Sequence, residues 1–284
     1  MVEAIRSLWD GDDACVLRCK ACGFGFGDPF VAGDARFYSI LHEQHGYPAW
    51  RWDYDLATSN VDEKGQALDI GAGRGFFLKG LPTGWGLHAV ESTPEMACFL
   101  KADAITVFDE LENVPDAEFD LVTMFQVLEH IANFRSTLAH CARVLRPGGL
   151  LVITVPDADA MFLQERLTGA PDAPPNHIAK WTPAALTRVL AEQGLAAQPA
   201  IFEKPSWQQA SSKMHLRVSA AALREGSVAA WANSIRNRRI RRPILAAVGL
   251  AVSMPMLGNL RTLRQGGAFG IVASNNSRDT ILDF

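Results

Sequence analysis

The sequence is poor in the features that mark several common protein classes. It contains only 5 cysteines in 284 residues, which is too few for a scaffold held by disulfides. Its 27 Lys and Arg residues almost balance its 31 Asp and Glu residues, so it lacks the strongly basic character of a general nucleic-acid binder. The longest uncharged apolar run, Pro243 to Leu257, is shorter than the ~20 residues that a membrane-spanning helix needs.

The first thirty residues also lack the layout of a secretory signal peptide. Asp10, Asp12 and three cysteines interrupt any basic-then-apolar pattern. The sequence has no internal repeat and no low-complexity tract. With 48% hydrophobic and 20% charged residues, the composition is that of a globular protein. We therefore expect a reduced, cytoplasmic protein whose partner is not nucleic acid.

The middle of the chain alternates short β-branched runs with helical patterns. This alternation predicts an α/β fold with a mostly parallel sheet and helices on both faces. We expect residues 1–60 to form an N-terminal cap, 61–203 the core, and 204–284 a helical insertion and a final strand. The seven predicted strands are Gln66–Ile70, Gly86–Glu91, Ile105–Phe108, Phe119–Phe125, Leu150–Val155, Ala196–Phe202 and Gly270–Ala273. Proline-led helices are predicted to begin at Pro94 and, with Thr182 as N-cap, at Pro183.

The clearest local signal is a glycine-rich turn after the first core strand. Asp69 ends that strand, and Gly71, Gly73 and Gly75 follow at alternate positions. Glycine allows a sharp turn and a close approach of the backbone to a ligand. The spacing differs from the Gly-x-Gly-x-x-Gly of a dinucleotide fingerprint. A carboxylate just before the loop also repels a pyrophosphate and favours a ligand with a positive end.

Glu91 closes the next strand about twenty residues later. An acid at this position accepts hydrogen bonds from ribose hydroxyls. The predicted ligand therefore carries a ribose and a cationic amino-acid end, and it needs no phosphate. S-adenosylmethionine meets this description.

With these residues in view, the sequence resembles the class I S-adenosylmethionine-dependent methyltransferases, in particular their small-molecule branch. The resemblance covers residues 64–200 and implies a Rossmann-like core. It implies that Asp69, Gly71 and Gly73 lie near the methionine end of the cofactor and that Glu91 lies on its ribose. Segment 107–115 (VFDELENVP) resembles the adenine-covering loop, so either Asp109 or Glu110 would reach the adenine amino group. Segments 119–131 (FDLVTMFQVLEHI) and 143–156 resemble the fourth- and fifth-strand motifs of the family, and Gln126 would line the cofactor pocket.

Two histidines are the candidates for the acceptor side of the reaction. His130 follows the fourth core strand at the ligand edge of the sheet, where a general base could act on a hydroxyl or amine acceptor. His177 lies in the loop after the fifth core strand, where substrate arrives in this family. The alternative is that both histidines only pack or position the backbone. The expected partner is a small molecule, such as a secondary metabolite or a sugar-linked intermediate, methylated on O, N or C.

The remaining cysteines near the N-terminus form an incomplete metal-like motif. Cys19-x-x-Cys22 resembles half of a zinc ribbon, and only Cys15 is close to it in the sequence. A structural zinc takes four ligands, and His42 or His45 at an unfamiliar spacing would have to complete the set. We therefore assign no metal ligands and expect a metal-free remnant, with a filled zinc site as the alternative. The aromatic residues that follow are expected to shape a cap over the core.

A cluster of arginines adjoins the long apolar run. Segment 236–257 combines five arginines with the run from Pro243 to Leu257. This pattern fits a helical lid that contributes to the substrate region, and it also fits peripheral contact with an anionic membrane surface. The family resemblance favours the lid, because an insertion before the last strand often builds the acceptor site in this family, and membrane contact is the alternative. The oligomeric state is not predicted.

Two further functional classes compete with a methyltransferase. One is a nicotinamide-dinucleotide-dependent oxidoreductase on the same kind of sheet, which Asp69 and the glycine spacing disfavour. The other is a module that binds S-adenosylmethionine without turning it over.

Overall fold

The computed structural model describes residues 8, 14–34, 37, 50–168, 174–206, 218–257 and 266–276. The chain divides into two compact units. Unit 1 comprises residues 1–155, 173–201 and 269–284, and unit 2 comprises 156–172 and 202–268. His42 and His45, named as ligands only for the alternative zinc site, lie outside the described residues, as do parts of the predicted insertion. The boundaries predicted at 60/61 and 203/204 stay a prediction.

The following helices and strands have both ends within the described residues. They are β1 Cys15–Arg18, β2 Gly25–Asp28, α1 Trp52–Thr58, β3 Lys64–Ile70, α2 Phe76–Lys79, β4 Gly84–Val90, α3 Pro94–Ala102, β5 Thr106–Phe108, β6 Phe119–Phe125, α4 Phe134–Val144, β7 Leu145–Pro156, α5 Ala158–Thr168, β8 Ala179–Lys180, α6 Pro183–Glu192, β9 Leu195–Ala197, β10 Ile201–Phe202, α7 Val228–Ser234, α8 Arg238–Leu257 and β11 Ala268–Asn275. Short 3-10 turns cover Leu111–Asn113 and Leu128–His130.

The main sheet has the predicted mostly parallel character. Its strand order is β10-β11-β7-β6-β3-β4-β5, and β9 pairs with β11 away from this path. Strand β3 is parallel to both β4 and β6, and β4–β5 and β6–β7 are also parallel pairs. Strand β9 is antiparallel to β11. The α/β, Rossmann-like fold class is therefore confirmed, with eight strands in place of the predicted seven.

The eighth strand arises because the predicted strand Ala196–Phe202 is interrupted. It forms two short strands, β9 and β10, which both pair with β11. Pro199 lies between them. Proline has no N–H to donate to a ladder, so it separates two pairing segments that the apolar pattern had suggested were continuous.

Strand β7 begins earlier than the predicted Leu150. Phe119 pairs with Leu145, whereas Leu121 pairs with Leu150, so two steps along β6 match five steps along β7. The segment Pro147-Gly148-Gly149 occupies the extra length, and Gly148 has φ 79°. The predicted chain break is therefore a bulge inside one long strand.

A second, smaller sheet was not predicted. It has the order β1-β2-β8, with both neighbouring pairs antiparallel. The turn between β1 and β2 carries Cys19 and Cys22. Thr182 ties this turn to the core, because its hydroxyl donates to the Cys22 carbonyl oxygen at 2.8 Å and accepts from Ala185 N–H at 3.2 Å. The predicted N-cap at Thr182 is thus confirmed and has a second role.

Two apolar clusters in unit 1 hold the main sheet between layers. Alternate residues of β3 serve different clusters, since Leu68 and Ile70 belong to the larger cluster and Ala67 belongs to the smaller one. This is the period of two expected for a strand covered on both faces. The larger cluster also buries Trp181, which contacts Phe24 and Phe134 at ring-centroid distances of 4.8 and 5.0 Å.

Unit 2 consists mainly of helices α5, α7 and α8. Its described backbone includes the bonds Asp157 N–H to Gly267 O and Glu203 N–H to Ala268 O, each 3.0 Å. Ser227 caps α7 by accepting from Ala230 N–H at 3.0 Å. Among the described residues, no helix combines the length and the hydropathy needed to cross a bilayer.

The double role of Thr182 leads to a prediction about stability. Thr182→Val removes both hydrogen bonds and leaves the Cys22 carbonyl without this donor. We expect the free energy of unfolding to fall by about 1–2 kcal/mol, measured by urea denaturation. The control is Thr137→Val, which removes only an exposed hydroxyl bond to the Asn133 carbonyl at the start of helix α4. Equal losses in the two variants would contradict the assigned role.

Candidate active site

The strand order places a crevice at the centre of the main sheet. From β3 the chain moves outward through β4 and β5, and it then returns to β6 on the other side of β3. Ligands of open parallel sheets bind beyond the carboxyl ends of the strands at such a reversal. The glycine-rich turn follows β3, Glu91 follows β4, and Gln126 follows β6. These predicted cofactor residues therefore share one edge of the sheet.

The glycines of the turn adopt conformations that other residues rarely do. Gly71, Gly73 and Gly75 have φ angles of 73°, 53° and 68°. A Cβ on Gly71 would come within 2.7 Å of the Val127 side chain, whereas one on Gly73 would meet nothing within 4 Å. The backbone at Gly73 therefore borders open space. Such space allows the close backbone approach expected for a ligand-binding turn.

Glu91 links the turn to the second strand end. Its Oε2 accepts from Gly73 N–H at 3.0 Å, and its Oε1 accepts from Thr93 N–H at 2.8 Å. The side chain is largely buried, with 9% of its surface exposed. A carboxylate has about four acceptor sites, so two remain for other donors such as the hydroxyls of a ribose.

Asp69 is the most strongly perturbed acid of the site. It is only 4% exposed, and the Thr123 hydroxyl donates to its Oδ1 at 2.7 Å. Burial raises the pKa of Asp69 to about 7, and the nearby Asp53 and Glu91 carboxylates add to the rise. The Thr123 hydrogen bond acts in the opposite direction. A cationic group placed beside this carboxyl would favour its ionised form.

A second buried carboxylate, Asp53, was not predicted as part of the site. Its side chain is fully buried and is paired with Arg51, with Nη2 to Oδ2 at 2.5 Å. Thr154 donates to Asp53 Oδ2 at 2.9 Å, and Gln126 Nε2 donates to Thr154 Oγ1 at 3.3 Å. This chain of hydrogen bonds connects helix α1 to the ends of β6 and β7.

Gln126 itself occupies a strained position at the end of β6. Its φ is 58°, and its N–H donates to the Thr154 carbonyl at 2.9 Å. A left-handed conformation in a residue other than glycine is uncommon and is enriched at functional sites. The structure thus places Gln126 at the carboxyl edge, next to the hydrogen-bonded chain that ends at Asp53.

Aromatic residues flank the acidic edge. Tyr54 contacts Phe77 and Phe125 at ring-centroid distances of 5.5 and 5.0 Å, and the Arg51 guanidinium lies 5.7 Å from its ring centre. Burial raises the pKa of Tyr54 to about 12. Of the predicted aromatic cap, Tyr38 and Tyr47 lie outside the described residues.

The predicted adenine-side acids are less tightly held. Asp109 and Glu110 are exposed and directly follow β5, at the same edge of the sheet. This position agrees with a role on the adenine side of the cofactor. No contact among the described residues favours Asp109 over Glu110 or the reverse. Their role stays a prediction.

The structure brings the two predicted histidines together. His130 ends the 3-10 turn after β6, and His177 lies just before β8. Their ring centroids are 4.8 Å apart. Glu129, which was not predicted, lies between them, with its Oε1 3.9 Å from His130 Nε2 and 4.0 Å from His177 Nε2.

The cysteine turn lies in the small sheet. Cys15 is exposed, and Cys19 and Cys22 are partly exposed. Hydrogen bonds from the backbone of Cys22 and Ala21 lower the pKa of Cys19, as does its contact with the Cys22 thiol. Among the described residues, these thiols do not join a group of three metal-ligand side chains.

The fold and this edge together define a class of protein. A parallel sheet with a central reversal, a glycine turn preceded by a buried acid and a second acid on the next strand are the arrangement of a class I S-adenosylmethionine-dependent methyltransferase. Residues 49–199, more than half of the chain, match the family model described as a methyltransferase domain. The chain belongs to this family.

Curated relatives share part of this region. A probable S-adenosylmethionine-dependent methyltransferase of Mycolicibacterium smegmatis is 35% identical over 89 residues, which cover 30% of this chain and 32% of the relative. A ubiquinone biosynthesis O-methyltransferase of Alkalilimnicola ehrlichii is 30% identical over 126 residues, covering 39% of this chain and 49% of the relative. The chain thus spans about a third of the length of the first relative and about half of the second.

A solved structure extends the likeness of the fold. An S-adenosylmethionine-dependent methyltransferase from Archaeoglobus fulgidus superposes with a TM-score of 0.52 at 16% identity. The match covers 84% of this chain and 99% of the other. At this identity the likeness concerns the fold alone.

The residues present suit S-adenosylmethionine as the cofactor. Open space at Gly73 gives room beside the backbone, and Glu91 retains acceptor capacity. The raised pKa of Asp69 marks a carboxyl that a cationic group would stabilise in its ionised form. Bound there, the cofactor would supply an activated methyl group.

The pKa of Asp69 leads to a prediction about stability and pH. Its ordinary value is 3.8 and its folded value about 7. Between these values the folded protein holds a proton that the unfolded chain has released, so this group costs stability as pH rises. The cost approaches roughly 4 kcal/mol above pH 7.

Asp69→Asn should therefore become more stable relative to the wild type as pH rises from 4 to 8, measured by urea denaturation without cofactor. Asp103→Asn is the control, because Asp103 is an exposed carboxylate paired with Lys79. A stability difference between Asp69→Asn and the wild type that is the same at every pH would contradict the raised pKa.

Proposed function

We propose that this protein transfers the methyl group of S-adenosylmethionine to a small-molecule acceptor. The proposal rests on one observation: Asp69, the Gly71–Gly75 turn and Glu91 lie together where the strand order of the sheet reverses. Methyl transfer from a sulfonium is an in-line displacement, so the protein must chiefly bind, orient and exclude water. The buried acids suit binding and orientation of the cofactor, and the aromatic side chains that contact Tyr54 suit the exclusion of water.

We assign the acceptor side to His130 and His177. His130 ends the turn that follows β6, His177 lies between helix α5 and strand β8, and the two form one cluster with Glu129. Two imidazoles beside a carboxylate suit a hydroxyl or amine acceptor, whose proton must leave during transfer. An oxygen acceptor is the choice that the names of the O-methyltransferase relatives favour. We also propose that the protein works in the cytoplasm.

The experiment for the proposed reaction is direct. The full chain is incubated with S-adenosylmethionine labelled in its methyl group and with a panel of phenols, sugars and amines. Appearance of the label in one compound class, together with formation of S-adenosylhomocysteine, supports the proposal. Cofactor binding without label transfer to any class would favour a non-catalytic binding module, and binding of a nicotinamide dinucleotide instead would favour the oxidoreductase.

The cofactor assignment predicts the effect of two substitutions. Asp69→Ala and Glu91→Ala should each weaken S-adenosylmethionine binding more than tenfold, because each removes a carboxylate from one end of the proposed pocket. Calorimetry with the purified protein measures the affinity. Glu91→Gln keeps the shape of the side chain and separates loss of charge from misfolding, and Asp103→Asn should bind like the wild type. Unchanged affinity in both alanine variants would refute the site.

A second proposal concerns helix α8 and the segment before it. Residues 226–257 contain five arginines and neither an acid nor a lysine. Four of these arginines and the apolar side chains of Ile240, Leu250 and Met254 are exposed. A basic helix with exposed apolar side chains suits the surface of an anionic membrane. We propose peripheral contact with such a surface, and the lid is the alternative.

Flotation with lipid vesicles tests this contact. The wild type should float with vesicles that contain phosphatidylglycerol and should not float with pure phosphatidylcholine. Arg238→Ser combined with Arg242→Ser should reduce binding about tenfold or more, at ~1 kcal/mol per arginine. The matched control changes Arg135 and Arg188, two exposed arginines of unit 1. Absence of wild-type flotation, or an equal loss in the control, would favour the lid.

A further inference from the structure

Glu129, His130 and His177 form a cluster that is more tightly organised than two histidines facing an acceptor would need to be. Its members come from two segments that are 47 residues apart in sequence: Glu129 and His130 from the turn after β6, and His177 from the approach to β8. One ligand-type atom from each of the three side chains lies within 4.8 Å of the other two. Glu129 is 1% exposed, and the imidazoles are 24% and 19% exposed. A buried carboxylate therefore faces two partly exposed rings.

The distances suit a shared ion better than direct pairing. Glu129 Oε1 lies 3.9 and 4.0 Å from the Nε2 atoms of His130 and His177. These separations are too long for hydrogen bonds. Donors on one tetrahedral zinc-type ion, each at ~2.1 Å, are separated by about 3.4 Å. The two measured separations of 3.9 and 4.0 Å exceed this by about half an ångström, and a small rotation of the histidine rings would bring the donors to that distance.

The backbone holds one ring in the orientation that metal binding requires. His130 Nδ1 lies 2.6 Å from the Asn176 carbonyl oxygen. A carbonyl oxygen only accepts, so Nδ1 carries a proton, and in the neutral ring the lone pair is on Nε2. Metal-bound histidines commonly donate their other N–H to a carbonyl or carboxylate in this way. The Nε2 atom so prepared is the one nearest to Glu129.

A hydrogen bond between backbone groups also fixes the turn after β6 to the segment that leads into β8. Ile178 N–H donates to the Glu129 carbonyl oxygen at 3.1 Å. Together with the His130–Asn176 bond, it clamps the loop that carries His177 on either side of that residue. The three side chains thus have little freedom to separate, which lowers the cost of assembling an ion site.

We propose that Glu129, His130 and His177 bind one divalent metal ion of the zinc type. Two imidazoles and one carboxylate are a ligand set of catalytic zinc, which keeps further positions open. The partial exposure of both rings leaves such a position accessible from solvent. If the proposed function is correct, this position would take an oxygen atom of the acceptor and favour its deprotonated form. Metal binding itself does not depend on that function.

This assignment differs from the prediction that the chain binds no metal. The residues first assigned to acid–base chemistry become ligands, and the cysteine turn becomes the rival site. Cys19 and Cys22 are thiols that can also bind zinc, so a test must separate sulfur from nitrogen and oxygen ligands.

The test starts from full-length protein stripped of metal with a chelator. Titration with Zn²⁺ against a chromophoric chelator gives the number of ions bound and their affinity. Titration with Co²⁺ reports the ligand type, because thiolate ligands give an intense charge-transfer band that nitrogen and oxygen ligands do not. We expect one tightly bound ion per chain and a Co²⁺ spectrum without the thiolate band.

Matched variants locate the ion. His130→Gln, His177→Gln and Glu129→Gln should each weaken metal binding at least a hundredfold, whereas Cys19→Ser combined with Cys22→Ser should leave this ion in place. The control for histidine removal is His140→Gln, since His140 also lies beside a glutamate, Glu112, at 3.7 Å. Circular dichroism and thermal melting of each variant verify that it is folded.

Three results would overturn the proposal. One is the absence of micromolar or tighter Zn²⁺ binding by the stripped wild type. Another is retention of the ion by folded glutamine variants of the two histidines. The third is loss of the ion in the double serine variant together with a thiolate band in the wild type. Methyl-transfer assays play no part in this test, so its outcome is independent of the proposed reaction.

Discussion

The buried carboxyl group of Asp69 is the constraint around which the site is arranged. An acid at the end of a central strand has little access to water, and two further carboxylates raise its pKa. The surrounding structure offsets this cost with specific donors. Thr123 donates a hydrogen bond to Asp69. Asp53 is paired with Arg51 and accepts a hydrogen bond from Thr154, and Glu91 accepts hydrogen bonds from two backbone N–H groups. The protein thus concentrates negative charge at one edge of the sheet, and only a ligand with a positive end gains from it.

Local sequence patterns were sufficient to place the candidate cofactor residues that lie at strand ends. Asp69, Glu91 and Gln126 each follow an apolar run directly, and parallel strands bring such ends to one edge. Thr182 and Pro183 likewise form a local sequence signal for the start of a helix. The positions of these residues could be predicted because each depends on its immediate neighbours in the sequence.

The remaining features depend on contacts between distant segments. Asp53 meets Thr154 across 101 residues, and no local pattern links them. Strand β8 has only two residues, and its partner β2 is distant in the sequence. The residue types of β8 alone therefore do not predict a strand. Glu129 was passed over because its role depends on His177, which arrives from another loop. A period-two or helical pattern contains no information about such encounters, and only the folded chain shows them.

The order of strands in the main sheet also bears on how the protein is made. Strand β11, residues 268–275, lies inside the sheet between β7 and β10. A chain emerging from the ribosome exposes the apolar edge of β7 until this late segment arrives. The fit is close, since a Cβ on Gly270 would lie 2.5 Å from the Leu56 side chain. Folding of the core is therefore completed only after synthesis of residue 275, and until then the open edge of β7 is a site prone to aggregation.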